Sequence, residues 1–208
     1  MKRTFILLSL LVLTLSANAF AQKAMTAKQL FMSLPNEYVN GTAKERATYL
    51  VFPKSIKADF LSFMISDNGV PKAMAGDFQE AEGLGDMRVF RGKSSTIVGL
   101  RYQIGDAKAE NPTVDSVKIT TVLLEYKGKK WTNVTDSLLP KVSIDDAFNA
   151  LMTLEDMKNT KKEDVWIETQ VSKDSNGLLS LARVKGSDSI TALKFFKWDG
   201  VKFVESAE

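Results

Sequence analysis

The hydrophobic pattern of this chain changes period along its length, and each change marks a different kind of element. After residue 25 the spacing is helical. Thr26-Ala-Lys-Gln29 precedes Leu30, Phe31 and Leu34, and Pro35 stops the run. Thr42-Ala-Lys-Glu45 precedes Ala47, Leu50 and Val51, with Pro53 behind it. Both have the form of a capping box opening a short amphipathic helix. A third helix is expected from Ser55 to Ile65, where Ile56, Phe60, Phe63 and Met64 recur at i, i+4, i+7 and i+8 and Asp67-Asn68-Gly69 follows.

From about residue 85 the period becomes two. Val98, Leu100, Tyr102 and Ile104 alternate with Ile97, Gly99, Arg101 and Gln103, which predicts a strand over Thr96–Ile104 with one buried face. Met87–Phe90 is expected to pair with it through a turn at Gly92–Ser94. Val117–Tyr126 is apolar and β-branched, and Lys127-Gly128 is expected to turn it back into Trp131–Val134. Gly83-Leu-Gly85 lacks the third glycine and the following helix of a phosphate-cradling loop, and reads as a turn.

The helical period then returns. Ser143-Ile-Asp-Asp146 is a capping box, and Ile144, Ala147, Phe148, Leu151 and Met152 form the cleanest helical stripe in the chain, with Phe148 expected at its buried centre. Strands are expected at Val165–Val171, Leu178–Val184, Ile190–Phe196 and Val201–Val204, joined at Ser175-Asn-Gly177, Gly186-Ser-Asp188 and Asp199-Gly200. Asp174-Ser-Asn176-Gly177 lacks the remaining ligands of a calcium loop and reads as a hairpin turn.

The fold class expected is α+β: an antiparallel sheet with short helices packed on one face. Helices followed by four strands occur twice, and the closing hairpins share a pattern, Tyr126-Lys-Gly-Lys-Lys-Trp131 against Trp198-Asp-Gly-Val-Lys-Phe203. This divides the chain into residues 22–140 and 141–208, as two related halves or as one compact domain.

The longest apolar run lies before all of this. Lys2 and Arg3 precede Thr4–Leu15, and small residues follow at Ala17, Ala19 and Ala21. That is the layout of a cleavable secretory signal over residues 1–21, too short to span a bilayer. The expected location is periplasmic or extracellular, with no integral membrane segment after cleavage. Removing it shortens the chain from 208 to 187 residues and lowers the formal charge from +3 to +1, since Lys2 and Arg3 are its only charges. A near-neutral exported domain has no broad field for nucleic acid.

Composition narrows the chemistry further. The chain has no His and no Cys, which excludes Ser-His-Asp and Cys-His catalysis, zinc sites built on those ligands, disulfides and a cysteine-linked lipid anchor. No Ser-x-x-Lys or Gly-x-Ser-x-Gly occurs. Carboxylate neighbours exist at Glu80 and Glu82, Asp145 and Asp146, and Glu163 and Asp164, but the middle pair reads as helix-start charge. No catalytic, cofactor-binding or metal-binding residue is therefore assigned, and no cofactor is expected.

The residues singled out for recognition are Tyr126, Trp131, Trp198 and Phe203, amphipathic aromatics flanking the two hairpin turns. Lysines cluster at Lys127, Lys129 and Lys130 around Trp131, and at Lys158, Lys161 and Lys162, where an anionic surface would be met or a turn merely solvated. The reading is a noncatalytic binding or interaction module with a protein, glycan or lipid partner in the envelope. A carrier lined by Met32, Phe60, Phe63 and Met64 is the alternative, and a carboxylate enzyme acting on glycans the third.

The stretch Phe31-Met-Ser-Leu-Pro35, followed by Thr42–Leu50 and later by Trp131 with Leu138-Leu-Pro140, resembles a secreted bacterial family of unknown function widespread in bacteroidetes. The resemblance covers about residues 25–140 and implies a signal peptide, a Leu-Pro helix, a helix bearing an Arg, and antiparallel strands closing on a Trp. The family's cysteine-containing strand motif has no counterpart here. Repeated helix-plus-four-strand units are also similar to the β-lactamase-inhibitor-protein fold. The leader is checked by N-terminal sequencing of exported protein, expected to begin at Gln22 or Phe20; a chain still beginning at Met1 refutes it.

Overall fold

The computed structural model describes residues 24–50, 58–65, 81–106, 117–187 and 189–206. The expected leader and its cleavage sites lie outside the described residues, as do residues 55–57 of the third expected helix. Among the described residues, no helix is long and apolar enough to cross a membrane.

Both capping boxes form. Helix α1 (Ala27–Met32) starts at Thr26, whose Oγ1 accepts from the Gln29 N–H at 3.2 Å while Gln29 Oε1 accepts from the Thr26 N–H at 2.9 Å. Helix α2 (Ala43–Tyr49) repeats this with Thr42 and Glu45, and the Thr42 backbone N–H holds the Glu45 carboxyl below its ordinary pKa. The buried side chain of α2 is not the expected Ala47, which is exposed, but Arg46. Its guanidinium donates to the carbonyls of Met32, Leu34 and Val39 and to Asn36 Oδ1, satisfying the carbonyls left over where α1 ends and the chain turns. Burial lowers the pKa of Arg46 from its ordinary value.

The third expected helix is instead a strand over its described part. Strand β1 (Phe60–Ile65) opens a five-stranded antiparallel sheet in chain order with β2 (Ala81–Arg91), β3 (Thr96–Asp106), β4 (Val117–Lys127) and β5 (Lys130–Asn133). A short apolar run fits both periods, and pairing with β2 settles it: Leu61, Phe63 and Ile65 go to one face and Phe60 to the other. The expected turn at Gly83–Gly85 is likewise strand, because the ring of Phe63 lies over Gly85 where a side chain would project. This first unit thus has five strands where four were expected.

Met87–Phe90 pairs with β3 as expected, and β4 returns into β5 through Gly128 and Lys129, with φ of 56° and 66°. That is one residue later than the expected turn, since Lys127 pairs with Lys130 and a type I′ loop needs two left-handed residues between them. A short helix α3 (Thr135–Leu138), not anticipated, follows. Helix α4 (Ile144–Leu151) starts at Ser143, whose side chain accepts from the Asp145 N–H. Sheet 2 then runs β6 (Val165–Val171), β7 (Gly177–Val184), β8 (Ile190–Trp198) and β9 (Phe203–Ser206), again antiparallel in chain order. The last strand starts two residues later than expected, because Asp199 Oδ1 accepts from the N–H groups of Val201 and Lys202 and keeps them in the turn.

Three apolar clusters result. One face of sheet 1, with Leu61, Phe63, Met87, Val98, Leu100, Tyr102 and Leu124, is covered by Leu30, Phe31, Leu34 and Val39 from α1 and the turn behind it. Tyr102 is fully buried there, donates to the Tyr38 carbonyl at 2.8 Å, and has its phenol pushed well above its ordinary pKa by burial. The other face, with Phe60, Phe90, Ile97 and Leu123, meets Val171, Leu178, Phe196 and Trp198 of sheet 2. By strand alternation Val165, Ile167 and Val171 share a face, as do Leu178, Ala182 and Val184. One face of sheet 2 is therefore covered at one end by sheet 1 and at the other by α4, through Ala147, Leu151 and Phe148. Phe148 is half-buried rather than buried, because it flanks Ala147 and Leu151 at the edge of that contact. A register shift at Ser180/Leu181 leaves Leu193 as an extra residue in β8, and the shift brings it into the α4 cluster.

Gly99 sits on the sheet 1 face that meets sheet 2, where a Cβ would lie 2.8 Å from Val171 Cγ1. Gly99→Ala is expected to cost about 1–3 kcal/mol by overpacking. Gly128→Ala meets nothing within 4 Å and is expected to cost about 1 kcal/mol through its left-handed φ alone. Urea denaturation of both variants checks the order; equal losses would mean that Gly99 is not a close-approach position.

Candidate functional site

The four aromatics singled out from the sequence form two cross-strand pairs. Tyr126 faces Trp131 across β4–β5 with ring centroids 4.8 Å apart, and Trp198 faces Phe203 across β8–β9 at 4.9 Å. Gly128 and Gly200 occupy the same place in the two turns and both have positive φ, 56° and 101°. The surroundings differ. Tyr126 and Trp131 pack against the cluster under α1, and the Trp131 indole N–H donates to the Ser33 carbonyl at 2.9 Å. Trp198 and Phe203 pack against Phe90 of sheet 1, and the Trp198 indole N–H donates to the Arg91 carbonyl at 3.0 Å.

Trp198 is 6 % exposed and the other three are half-buried, so none stands out from the surface. Each indole spends its polar end on a carbonyl of another element. The pairs are pins, one between hairpin and helix and the other between the two sheets. The side chains proposed for a carrier cavity also separate: Phe60 and Phe63 are buried on opposite faces of β1, and Met64 is 55 % exposed.

Among the carboxylate neighbours, Glu80 lies outside the described residues, Glu82 is exposed, and Asp145 is ion-paired with Lys162. The carboxylates that the fold does bring together are Asp86 and Glu168, on either side of Arg101. Glu168, 2 % exposed on β6, accepts from Arg101 Nε and Nη2 at 2.8 and 2.6 Å, from Gln170 Nε2 at 2.6 Å and from Arg183 Nε. Arg101 Nη1 lies 3.9 Å from Asp86 Oδ2, and Asp86 Oδ1 accepts from Ser62 Oγ at 2.6 Å. The Arg183 guanidinium lies 5.7 Å from the centre of the Trp166 ring.

Every oxygen of Glu168 is thus occupied by a donor of its own fold, and three of its four donors are guanidinium nitrogens. A carboxylate so committed clasps the sheets together. Sequence reading missed this group. Its signal was a charged residue, Arg101, inside the β3 alternation, which read as a solvent position. Among the described residues no three acids group as a metal site would need.

The lysine clusters separate as well. Lys158 is paired with Glu155 at 3.2 Å and Lys162 with Asp145. Lys127, Lys129 and Lys130 have no ion pair among the described residues. Two of them, Lys127 and Lys129, join Lys93 around an open depression of about 610 Å³ at one end of sheet 1. The β2–β3 turn supplies Gly92, Lys93, Ser94 and Ser95; the β4–β5 turn supplies Gly128 and Lys129; Met25, Leu30 and Tyr126 line it between them.

This end is held in place by its backbone. Gly92 N–H donates to the Ser95 carbonyl at 3.0 Å, closing the first turn, and the type I′ geometry fixes the second. Arg91 ties the remaining wall: its Nη2 donates to the Met25 carbonyl at 2.9 Å and its guanidinium pairs with Asp59. The lining contains no Asp or Glu, and Lys93, Lys127 and Lys129 border it beside Met25 and Tyr126. The volume is within the range of small-molecule sites, while the lining is more polar and more open than is usual for them.

Removing one partner of a buried ion cluster leaves the others uncompensated, so Glu168→Ala is expected to cost about 3–5 kcal/mol. The combined variant Arg101→Met, Glu168→Leu, Arg183→Met is expected to lose less than that single change. Equilibrium unfolding checks both; a catalytic or ligand-holding Glu168 would instead leave stability nearly unchanged in Glu168→Ala.

Comparison of the chain with family models, with curated proteins and with solved structures finds no match.

Proposed function

We propose that this chain is an exported, noncatalytic binding module of the cell envelope, and that the depression between the β2–β3 and β4–β5 turns is its binding face. The observation that carries this reading is that Lys93, Lys127 and Lys129 border one open depression whose lining has no acid. Exposed lysines bordering one depression favour an anionic partner. The absence of His and Cys and the commitment of Glu168 to Arg101 and Arg183 speak for binding over catalysis.

The architecture is read as α+β with short helices on one face of each sheet, and the matching turn glycines and aromatic pairs favour two related halves. The resemblance to secreted bacteroidete proteins and the expected N-terminal leader support a module outside the cytoplasm, with an envelope protein, glycan or lipid as its partner. Native mass spectrometry of the protein purified from its own host's envelope tests the reading, because it reports location, ligand and partner together. A mature chain carrying a bound species is expected; a bare chain recovered from the cytoplasm with its N-terminus intact overturns it.

A further inference from the structure

We infer that Asn40-Gly41 is a self-modification site, at which the Gly41 nitrogen attacks the side-chain amide of Asn40 and residue 40 becomes an acid. Three Asn-Gly steps occur in the chain, starting at residues 40, 68 and 176, and the second lies outside the described residues. Glycine after asparagine leaves the attacking nitrogen without a side chain beside it, so by sequence the three are alike. The fold separates them. At the corner between α1 and α2 the Gly41 N–H donates to Asn40 Oδ1 at 2.9 Å. With a carbonyl bond of about 1.23 Å, the nitrogen lies no more than about 4 Å from Cγ, close to a near-attack arrangement. Asn40 and Gly41 are half-buried, so water reaches them.

Water is the only co-reactant. The Gly41 nitrogen loses its proton to solvent and bonds to Cγ, and the Cγ–Nδ2 bond breaks as Nδ2 takes up a proton and leaves as ammonia. Water then opens the imide ring at either carbonyl, giving aspartate or its isoaspartyl isomer. The glycine is demanded by the corner itself: its φ is 103°, and a Cβ there would lie 3.2 Å from Tyr49 Oη and 3.3 Å from Glu45 Oε2. The new carboxylate follows directly on Val39, whose carbonyl accepts from the buried Arg46. Among the described residues the Arg46 guanidinium bonds to carbonyls and an amide oxygen, and to no acid. Asn176-Gly177 is held otherwise, although Asn176 is the more exposed asparagine. The Gly177 N–H donates to the Ser175 carbonyl and the Asn176 carbonyl accepts from the Trp198 N–H, both at 3.0 Å. Closing the imide ring there turns the peptide between them and breaks both bonds.

The test is peptide mapping by mass spectrometry of the purified protein incubated at mildly alkaline pH, folded and in urea, with isoaspartate read by enzymatic methylation. In the folded protein Asn40 is expected to convert at least about tenfold faster than Asn176. In urea the two rates are expected to agree within about threefold, since only local sequence is left to set them. Aspartate and isoaspartate are both expected at residue 40, because an imide opens both ways. Asn40→Gln, whose longer side chain closes a larger ring, is expected to leave residue 40 an amide over the same incubation. Equal rates in the folded protein, faster conversion at Asn176, or an unchanged Asn40 overturns the inference. A preference for Asn40 that persists undiminished in urea belongs to the sequence and overturns the part given to the fold. Aspartate without isoaspartate means direct hydrolysis and overturns the attack by Gly41.

Discussion

Strand β6 lies across the face of sheet 1, and the polar and apolar contacts made there decide how the rest of the molecule is arranged. As the outer strand of sheet 2 it has one edge without a β-partner, and an open edge is a liability. Here it is covered: Thr121 Oγ1 on β4 donates to the Thr169 carbonyl. Glu168, next in the strand, reaches Arg101 on β3, and Val171 meets the face at Gly99, where the missing side chain allows close approach. Arg88 completes the crossing by donating to the Ser172 and Lys173 carbonyls at 3.2 and 3.1 Å.

The apolar cluster of Phe60, Phe90, Leu123, Val171, Leu178 and Phe196 supplies the driving force for that crossing, and the ion cluster supplies its register. A buried Arg-Glu-Arg group gains little net stability, because desolvating the charges offsets their attraction. It does penalise every other placement of β6, since a shift of one residue would turn Glu168 to the opposite face and leave its guanidinium partners unpaired. The two Trp pins follow the same logic. Trp198 fastens the end of β8 to the carbonyl of Arg91 at the β2–β3 turn, and Trp131 fastens the β4–β5 hairpin to the C-terminal end of α1.

These fastenings give the candidate site its shape. The β2–β3 turn is backed by the β8–β9 turn, with the Gly200 carbonyl 2.8 Å from where a Cβ on Gly92 would lie. The β4–β5 turn is held by Trp131, and the stretch from Met25 into α1 is held by Arg91 and, through its far end, by Arg46. Three segments distant in sequence, around residues 25, 93 and 128, are brought to one rim by contacts made elsewhere. Lys93, Lys127 and Lys129 on that rim form no ion pair among the described residues.

The sequence by itself determined whatever depends on neighbours a few residues apart. Thr26 with Gln29 and Thr42 with Glu45 placed two helix starts, because capping is completed within one turn. The alternation of Val98, Leu100, Tyr102 and Ile104 placed β3 and one of its buried faces, and Gly128 and Gly200 placed two hairpins, because tolerance of a positive φ is a property of glycine itself. Tertiary structure alone decided the features in which a long-range partner outweighs local preference. Phe60–Ile65 became a strand because β2 was there to pair with it, and Gly85 became strand because Phe63 needed its space. Arg101, polar in the pattern, went inside because Glu168, 67 residues away, could meet it. The aromatics looked like a recognition surface and became pins, because the carbonyls of Ser33 and Arg91 that hold their indoles are 98 and 107 residues distant in the chain. Pairing energies between such distant groups exist only once the chain has closed the intervening loops, and no pattern within a short window records them.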